Sequence, residues 1–88
     1  MKKYMLTEKR CEHKKYMFTA KWCGSCQLMK PIVSKIKNVE IIDIDECKEY
    51  INKYTIMGLP TYIVDKGAEF NALSGIQDLK SLQEFYDG

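Results

Sequence analysis

Apolar residues along the chain fall into short blocks whose period switches between two and about 3.6, the mark of strands alternating with helices. Lys15 to Thr19 carries Tyr16, Met17 and Phe18 in succession, an apolar run that fits a buried strand. Leu28, Met29, Ile32, Val33 and Ile36 follow at i, i+3, i+4 and i+7 spacing, so a helix is expected from the Cys23–Cys26 turn to about Lys37. Pro31 lies inside it; a proline there lacks the N–H and crowds the carbonyl of Gln27, which predicts a kink. Asn38 ends the helix, and Val39, Ile41, Ile42 and Ile44 make the next strand.

Strand, helix and strand in so short a stretch form a βαβ unit, whose strands run parallel through a right-handed crossover. Glu46 to Tyr54 fits a second helix with Cys47, Tyr50, Ile51 and Tyr54 on one side. Beyond Met57-Gly58-Leu59-Pro60, Thr61 to Val64 is β-branched and aromatic, Asp65 to Ala68 has turn chemistry, and Glu69 to Leu73 can return antiparallel. Gly75 marks a bend, and Asp78 is an N-cap for a last helix that turns Leu79, Leu82, Phe85 and Tyr86 inward. Residues 3–6 suggest a short first strand, and Thr7 with Glu8 to Glu12 a helical turn. The order then reads ββαβαββα, an α/β fold with helices covering a mixed sheet.

The 88 residues suit one domain, 1–88, with a modest core. Hydrophobic residues at 45% and charged residues at 30% describe an ordinary globular chain, and no apolar run approaches the roughly 18 residues of a membrane span. The basic N-terminus, Met1 to Arg10, is not followed by the apolar stretch of a secretory signal, so the expected setting is cytoplasmic and reducing. A net charge of +2 argues against nucleic acid, and the cluster of Lys9, Arg10, His13, Lys14 and Lys15 reads as a solvated basic face.

Candidate chemistry is concentrated in Trp22-Cys23-Gly24-Ser25-Cys26, at the junction of the Lys15 to Thr19 strand and its helix. Two intervening residues on a first helical turn bring the two sulfurs within bridging reach. So small a loop gains little from closure entropy, which suits a bridge that is made and broken in function. At a helix N-terminus the free N–H groups and the macrodipole favour a thiolate. The thiol of Cys23 is therefore expected below its usual value of about 8.5, and Cys23 is the expected nucleophile. Half of a zinc site is the competing reading; its other ligands would come from Cys11, His13 and Cys47, without a second CxxC pair.

The chain at this point resembles the thioredoxin family. Trp22-Cys23-Gly24-Ser25-Cys26 is similar to that family's WCGPC site, Pro31 falls at its helix proline, and Gly58-Leu59-Pro60-Thr61 looks like its cis-proline loop. Gly67 and Gly75 also match, and the likeness spans residues 15–86. The resemblance implies a three-layer thioredoxin-like fold with a shortened N-terminal unit, and a protein-disulfide reductase. Cys23 attacks a client disulfide, and Cys26 resolves the mixed disulfide to leave Cys23 bridged to Cys26. Trp22, Gly24, Ser25, Leu59, Pro60 and Gly75 then make the substrate-binding surface, with Pro60 cis against the sulfurs and the Leu59 backbone pairing an extended peptide. No tightly bound cofactor and no metal is implied. Electrons come from a thioredoxin-reductase-like donor using NADPH, or from glutathione, and the protein acts as a monomer.

This sequence departs from the family pattern in three ways. Met17 replaces the buried acid, and Ile41 replaces the lysine that faces it, which leaves Asp43 or Asp45 as substitutes only if they turn inward. Ser25 replaces a proline, so a less reducing couple is expected. The shortened start brings the size toward glutaredoxins, and Ser74-Gly75-Ile76-Gln77-Asp78 looks somewhat like their glutathione-carboxylate site at a helix N-terminus. Glutathione-dependent exchange is thus the alternative, and a redox-inactive adaptor or a metal-binding module are the others. Cys47, opening the second helix, is a candidate for modification through a lowered thiol pKa, whereas Cys11 reads as an ordinary small hydrophobe.

Overall fold

The computed structural model describes residues 14–87. In chain order these form β1 (Lys14–Thr19), α1 (Gly24–Val33), β2 (Val39–Asp43), α2 (Glu49–Tyr54), β3 (Thr61–Asp65), β4 (Phe70–Ser74) and α3 (Leu79–Asp87). The expected strand at residues 3–6, the turn at Thr7 to Glu12, Cys11 and His13 lie outside the described residues.

The four strands make one mixed sheet in the order β2-β1-β3-β4, with β2 parallel to β1 and the other neighbours antiparallel. The two apolar runs take the middle places, because only a strand buried on both faces has use for side chains like Tyr16-Met17-Phe18 or Tyr62-Ile63-Val64. Side chains alternate across the sheet. Tyr16 and Phe18 turn to the face covered by α2, where their rings meet Tyr50 and Tyr54 at centroid distances of 5.2 to 6.0 Å. Met17 and Thr19 therefore turn to the other face. Tyr62, paired with Met17 across β1 and β3, shares that face and meets Tyr86 of α3 edge-on at 6.5 Å. The hydroxyl of Tyr86 donates to the Tyr16 carbonyl at 2.6 Å, which ties α3 to the middle of the sheet.

Helix boundaries differ from expectation at two places. α1 runs through Pro31 but stops at Val33 rather than near Lys37: the Lys35 and Ile36 N–H groups bond to Ile32 and Val33 three residues back, at 3.2 and 2.9 Å. That tighter spacing is turn rather than α-helix, and Asn38, with φ of 66°, reverses the chain into β2. Met29 and Val33 are buried as the stripe requires, but Leu28 is exposed, one position round from the covered face. α2 starts at Glu49 instead of Glu46, so Cys47 precedes the helix. The Glu46 and Cys47 N–H groups are both held by the Asp43 carbonyl in a turn. The hairpin and the final helix follow the sequence: Gly67 at φ of 94° makes the β3–β4 turn, and Asp78 caps α3 by accepting the Ser81 N–H at 2.7 Å.

Candidate active site

β1 delivers the chain to the dithiol, and the Cys23 N–H bonds the Ala20 carbonyl at 3.1 Å, which makes the turn tight. Cys23 is the N-cap of α1. Its sulfur takes the place of a capping oxygen and accepts the Cys26 backbone N–H at 3.2 Å, an arrangement that offers an anionic sulfur both a donor and the helix's positive end. Both cysteines are free thiols; Cys23 is at the edge of solvent exposure and Cys26 is fully buried. Burial pushes the Cys26 thiol up, and a bond to the Cys23 sulfur adds to this, while the Thr19 hydroxyl and the Ala20 backbone pull the other way. Cys26 is therefore a poor nucleophile until something favours its anion.

Opposite Cys23 the chain turns through Gly58 and Leu59 into Pro60, with the Leu59–Pro60 bond cis as expected. Trp22, Cys23 and Leu59 meet Ile51, Ile56 and Met57 around an open cavity of about 270 Å³. Trp22 and Met57 are 70% and 92% exposed, so the rim around the reactive sulfur is apolar and uncovered. A larger cavity of about 370 Å³ lies between Tyr54 and β4 and contains neither cysteine, so it is not where this chemistry happens. The Gly75 N–H donates to the Pro60 carbonyl at 3.0 Å, and the Gly75 carbonyl accepts the Tyr62 hydroxyl at 2.8 Å. Gly75 thus fixes the loop that faces the dithiol, in a backbone conformation (φ 88°) that L side chains rarely adopt. Among the described residues no three His, Cys, Asp or Glu side chains converge as a metal site.

A thioredoxin family model matches residues 13–88. A thioredoxin from Bacillus subtilis is 37% identical over 76 residues, covering 76% of this chain and 72% of that protein. A Staphylococcus aureus thioredoxin is 31% identical over 78 residues, covering 80% and 75%. The chain belongs to the thioredoxin family. Among solved structures, a point-mutant thioredoxin from Halobacterium salinarum superposes with a TM-score of 0.74 at 29% identity, covering 83% of this chain and 70% of that one. The thioredoxin of Trypanosoma brucei brucei reaches 0.73 at 23% identity over 85% and 72%, a likeness of fold alone. As a member of the thioredoxin family the protein is a thiol–disulfide oxidoreductase acting on protein disulfides.

Placed in this thioredoxin frame, most of the residues singled out in the sequence come together. Trp22, Cys23, Gly58 and Leu59 line one cavity, Gly24 and Ser25 form the first turn of α1, and Pro60 and Gly75 are hydrogen-bonded to each other. Asp43 and Asp45 do not turn inward as a substitute acid. Asp45 is exposed and accepts the Trp22 indole N–H at 2.9 Å, while Asp43 accepts the Asp45 N–H at 2.8 Å. Cys47 also departs from expectation: its thiol is pushed up, by burial first and then by Glu49 and Glu46, because it stands before the helix among carboxylates. Two residues of the site do not stand out in the sequence. Tyr62, buried on the face of the sheet that carries Met17, is pushed up to about 12 by its burial and then by the charge of Cys26 and Cys23. Thr19 is the other. The alternation from Met17 carries the signal for it, and the apolar setting hides it.

Proposed function

We propose that this chain reduces disulfides of protein clients through a reversible Cys23–Cys26 couple, with Cys23 as the attacking thiolate and Cys26 as the resolving thiol. The observation that carries the reading is the Cys23 sulfur itself: it caps α1, accepts the Cys26 N–H and opens onto an exposed apolar rim, while Cys26 is sealed behind it. Trp22, Gly24, Ser25, Leu59, Pro60 and Gly75 form the surface on which an extended client segment docks, its apolar side chains against Trp22 and Met57. A nicotinamide-dependent reductase of the thioredoxin-reductase kind returns the electrons, and the protein works as a one-domain monomer in a reducing, cytoplasmic compartment.

Glutathione exchange is the weaker reading, and α3 is the reason. A glutathione carboxylate at that N-terminus would meet the Asp78 carboxylate, which already accepts the Ser81 N–H at 2.7 Å and repels a second negative charge. The deciding experiment is turnover of a protein disulfide by parental and variant protein. Cys23→Ser is expected to abolish reduction, and Cys26→Ser to accumulate a mixed disulfide with the client, visible by mass spectrometry. Full activity of Cys23→Ser would refute the mechanism.

A further inference from the structure

Among the described residues, Thr19 Oγ1 is the buried side-chain oxygen or nitrogen without a hydrogen-bond partner. Thr19 is only 2% exposed, so no solvent compensates it, and an orphaned buried hydroxyl costs free energy unless it has a use. Its position suggests the use. Thr19 ends β1 on the face that also carries Met17 and Tyr62, next to Ala20, whose carbonyl holds the Cys23 N–H at the start of α1, and its hydroxyl favours the anion of Cys26 on that helix's first turn. Among the described residues no other donor side chain is free there: the Tyr62 hydroxyl is spent on the Gly75 carbonyl. No carboxylate among the described residues serves either, since Met17 is apolar and the register partner of Thr19 on β2, Asp43, is bonded to the Asp45 N–H.

We propose that the Thr19 hydroxyl is the donor that receives the Cys26 thiolate during resolution of the mixed disulfide, in a core whose described residues include no acid to do this work. The inference rests on the dithiol reading above. In the step itself, the Cys26 sulfur attacks the Cys23 sulfur of Cys23–S–S–client. The Cys23–Cys26 bond forms, the bond to the client sulfur breaks, and the client leaves with the electron pair and the proton that Cys26 gave up. Both cysteines end oxidised and the client thiol reduced. As the reaction begins, the hydroxyl turns from having no acceptor to donating to an anion, so the interaction is made in the approach to the transition state and not in the resting thiol. Among the described residues, Tyr62 from β3 and Cys23 from α1 are the titratable groups whose charge bears on Cys26, and neither supplies a free donor.

Ellman's reagent separates the two steps, because attack by Cys23 releases one thionitrobenzoate and resolution by Cys26 releases the second. In Thr19→Val the first release is expected at the parental rate. The pH midpoint of the second should rise by about one pH unit or more, the scale of a lost hydrogen bond to a charged group. Because a more basic thiolate is also more nucleophilic, the second rate below that midpoint falls only about threefold for each pH unit by which the midpoint rises. Thr19→Ser, which keeps the hydroxyl, should behave as the parent. An unchanged second phase in Thr19→Val, or a Thr19→Ser as slow as the valine variant, overturns the proposal. If Thr19→Val does not fold, Thr19→Ala gives the same readout. NMR of the parental protein provides a second one: the Thr19 hydroxyl proton resonance should move downfield as Cys26 ionises, and a resonance unmoved across that titration would overturn the proposal. Absence of the first release in the parental protein would instead sink the dithiol reading on which this one stands.

Discussion

Cys26 shows how much depends on single positions at this site. Its neighbours on the β1 face are Met17 and Thr19, one apolar and one neutral, so the burial that raises its thiol is not offset by a charge from the described residues. Restoring an acid at Met17 tests how dry that face is. Met17 is 0% exposed, and its register partners are Ile41 and Tyr62, neither a cation. The carboxyl of Met17→Asp should therefore titrate about 3 pH units above its unfolded value of about 3.9. A raised carboxyl costs nothing below the unfolded value and progressively more as pH rises to the folded one, so the pH-dependent penalty at neutral pH is about 4 kcal/mol. Urea denaturation near pH 4 and at pH 7 measures it; an equal loss at both would mean that the carboxylate has found water or a partner. The dithiol, Trp22 and the cis-proline loop were legible because each is a short local pattern. Thr19 and Tyr62 were not, since their roles depend on which strands lie side by side and which face α1 covers.

Among the elements, α3 is held at both ends by different means. Leu82 and Tyr86 anchor it in the core, the latter through its bond to the Tyr16 carbonyl, while its exposed start depends on Asp78. Bonding to the Ser81 backbone N–H and then to its side chain holds the Asp78 carboxyl below the usual carboxylate range. The stabilisation from a depressed carboxyl is present above its unfolded value and is lost as pH falls through the folded one. Asp78→Ala is expected to fray the first turn and to remove that acidic component, seen as faster hydrogen exchange at Ser81 and a flatter stability profile below about pH 4. Exchange unchanged at Ser81 would show that core anchoring alone suffices. This cap was readable from the sequence, as were the two central strands, because both follow from residue chemistry over a few positions. The ends of α1 and the start of α2 were not. Both are decided by backbone bonds, the three-residue spacing after Val33 and the double acceptor at Asp43, which no side-chain pattern encodes.

For the molecule as a whole, buried tyrosines decide how it meets alkali. Tyr54, Tyr62 and Tyr86 are each nearly or fully buried and each raised, by burial first and then by Asp65, by the thiols and by Tyr62 respectively. Stability is fully present below the unfolded tyrosine value of about 10 and is lost above it at about 1.4 kcal/mol per pH unit for each tyrosine. Denaturant midpoints from pH 9 to 12 should thus fall more steeply than one such group would give, and Tyr86→Phe should remove about 1.4 kcal/mol per pH unit of that slope, while its lost hydrogen bond lowers stability by the same amount at every pH. A slope unaffected by Tyr86→Phe would mean that this ring ionises freely in the folded state. The strand order carries one more consequence, for the chain as it is made. β1 is finished early, yet its partner residue Tyr62 comes much later, and the Tyr86 hydroxyl that fixes Tyr16 is 70 residues away. Such long-range closure is slow. A growing chain therefore displays its two thiols before the sheet, the proline loop or the last helix can shelter them. An oxidant met at that stage finds Cys23 and Cys26 nearer to each other along the backbone than either is to Cys11 or Cys47. The bridge closed prematurely is then the same one the finished protein opens and closes in use.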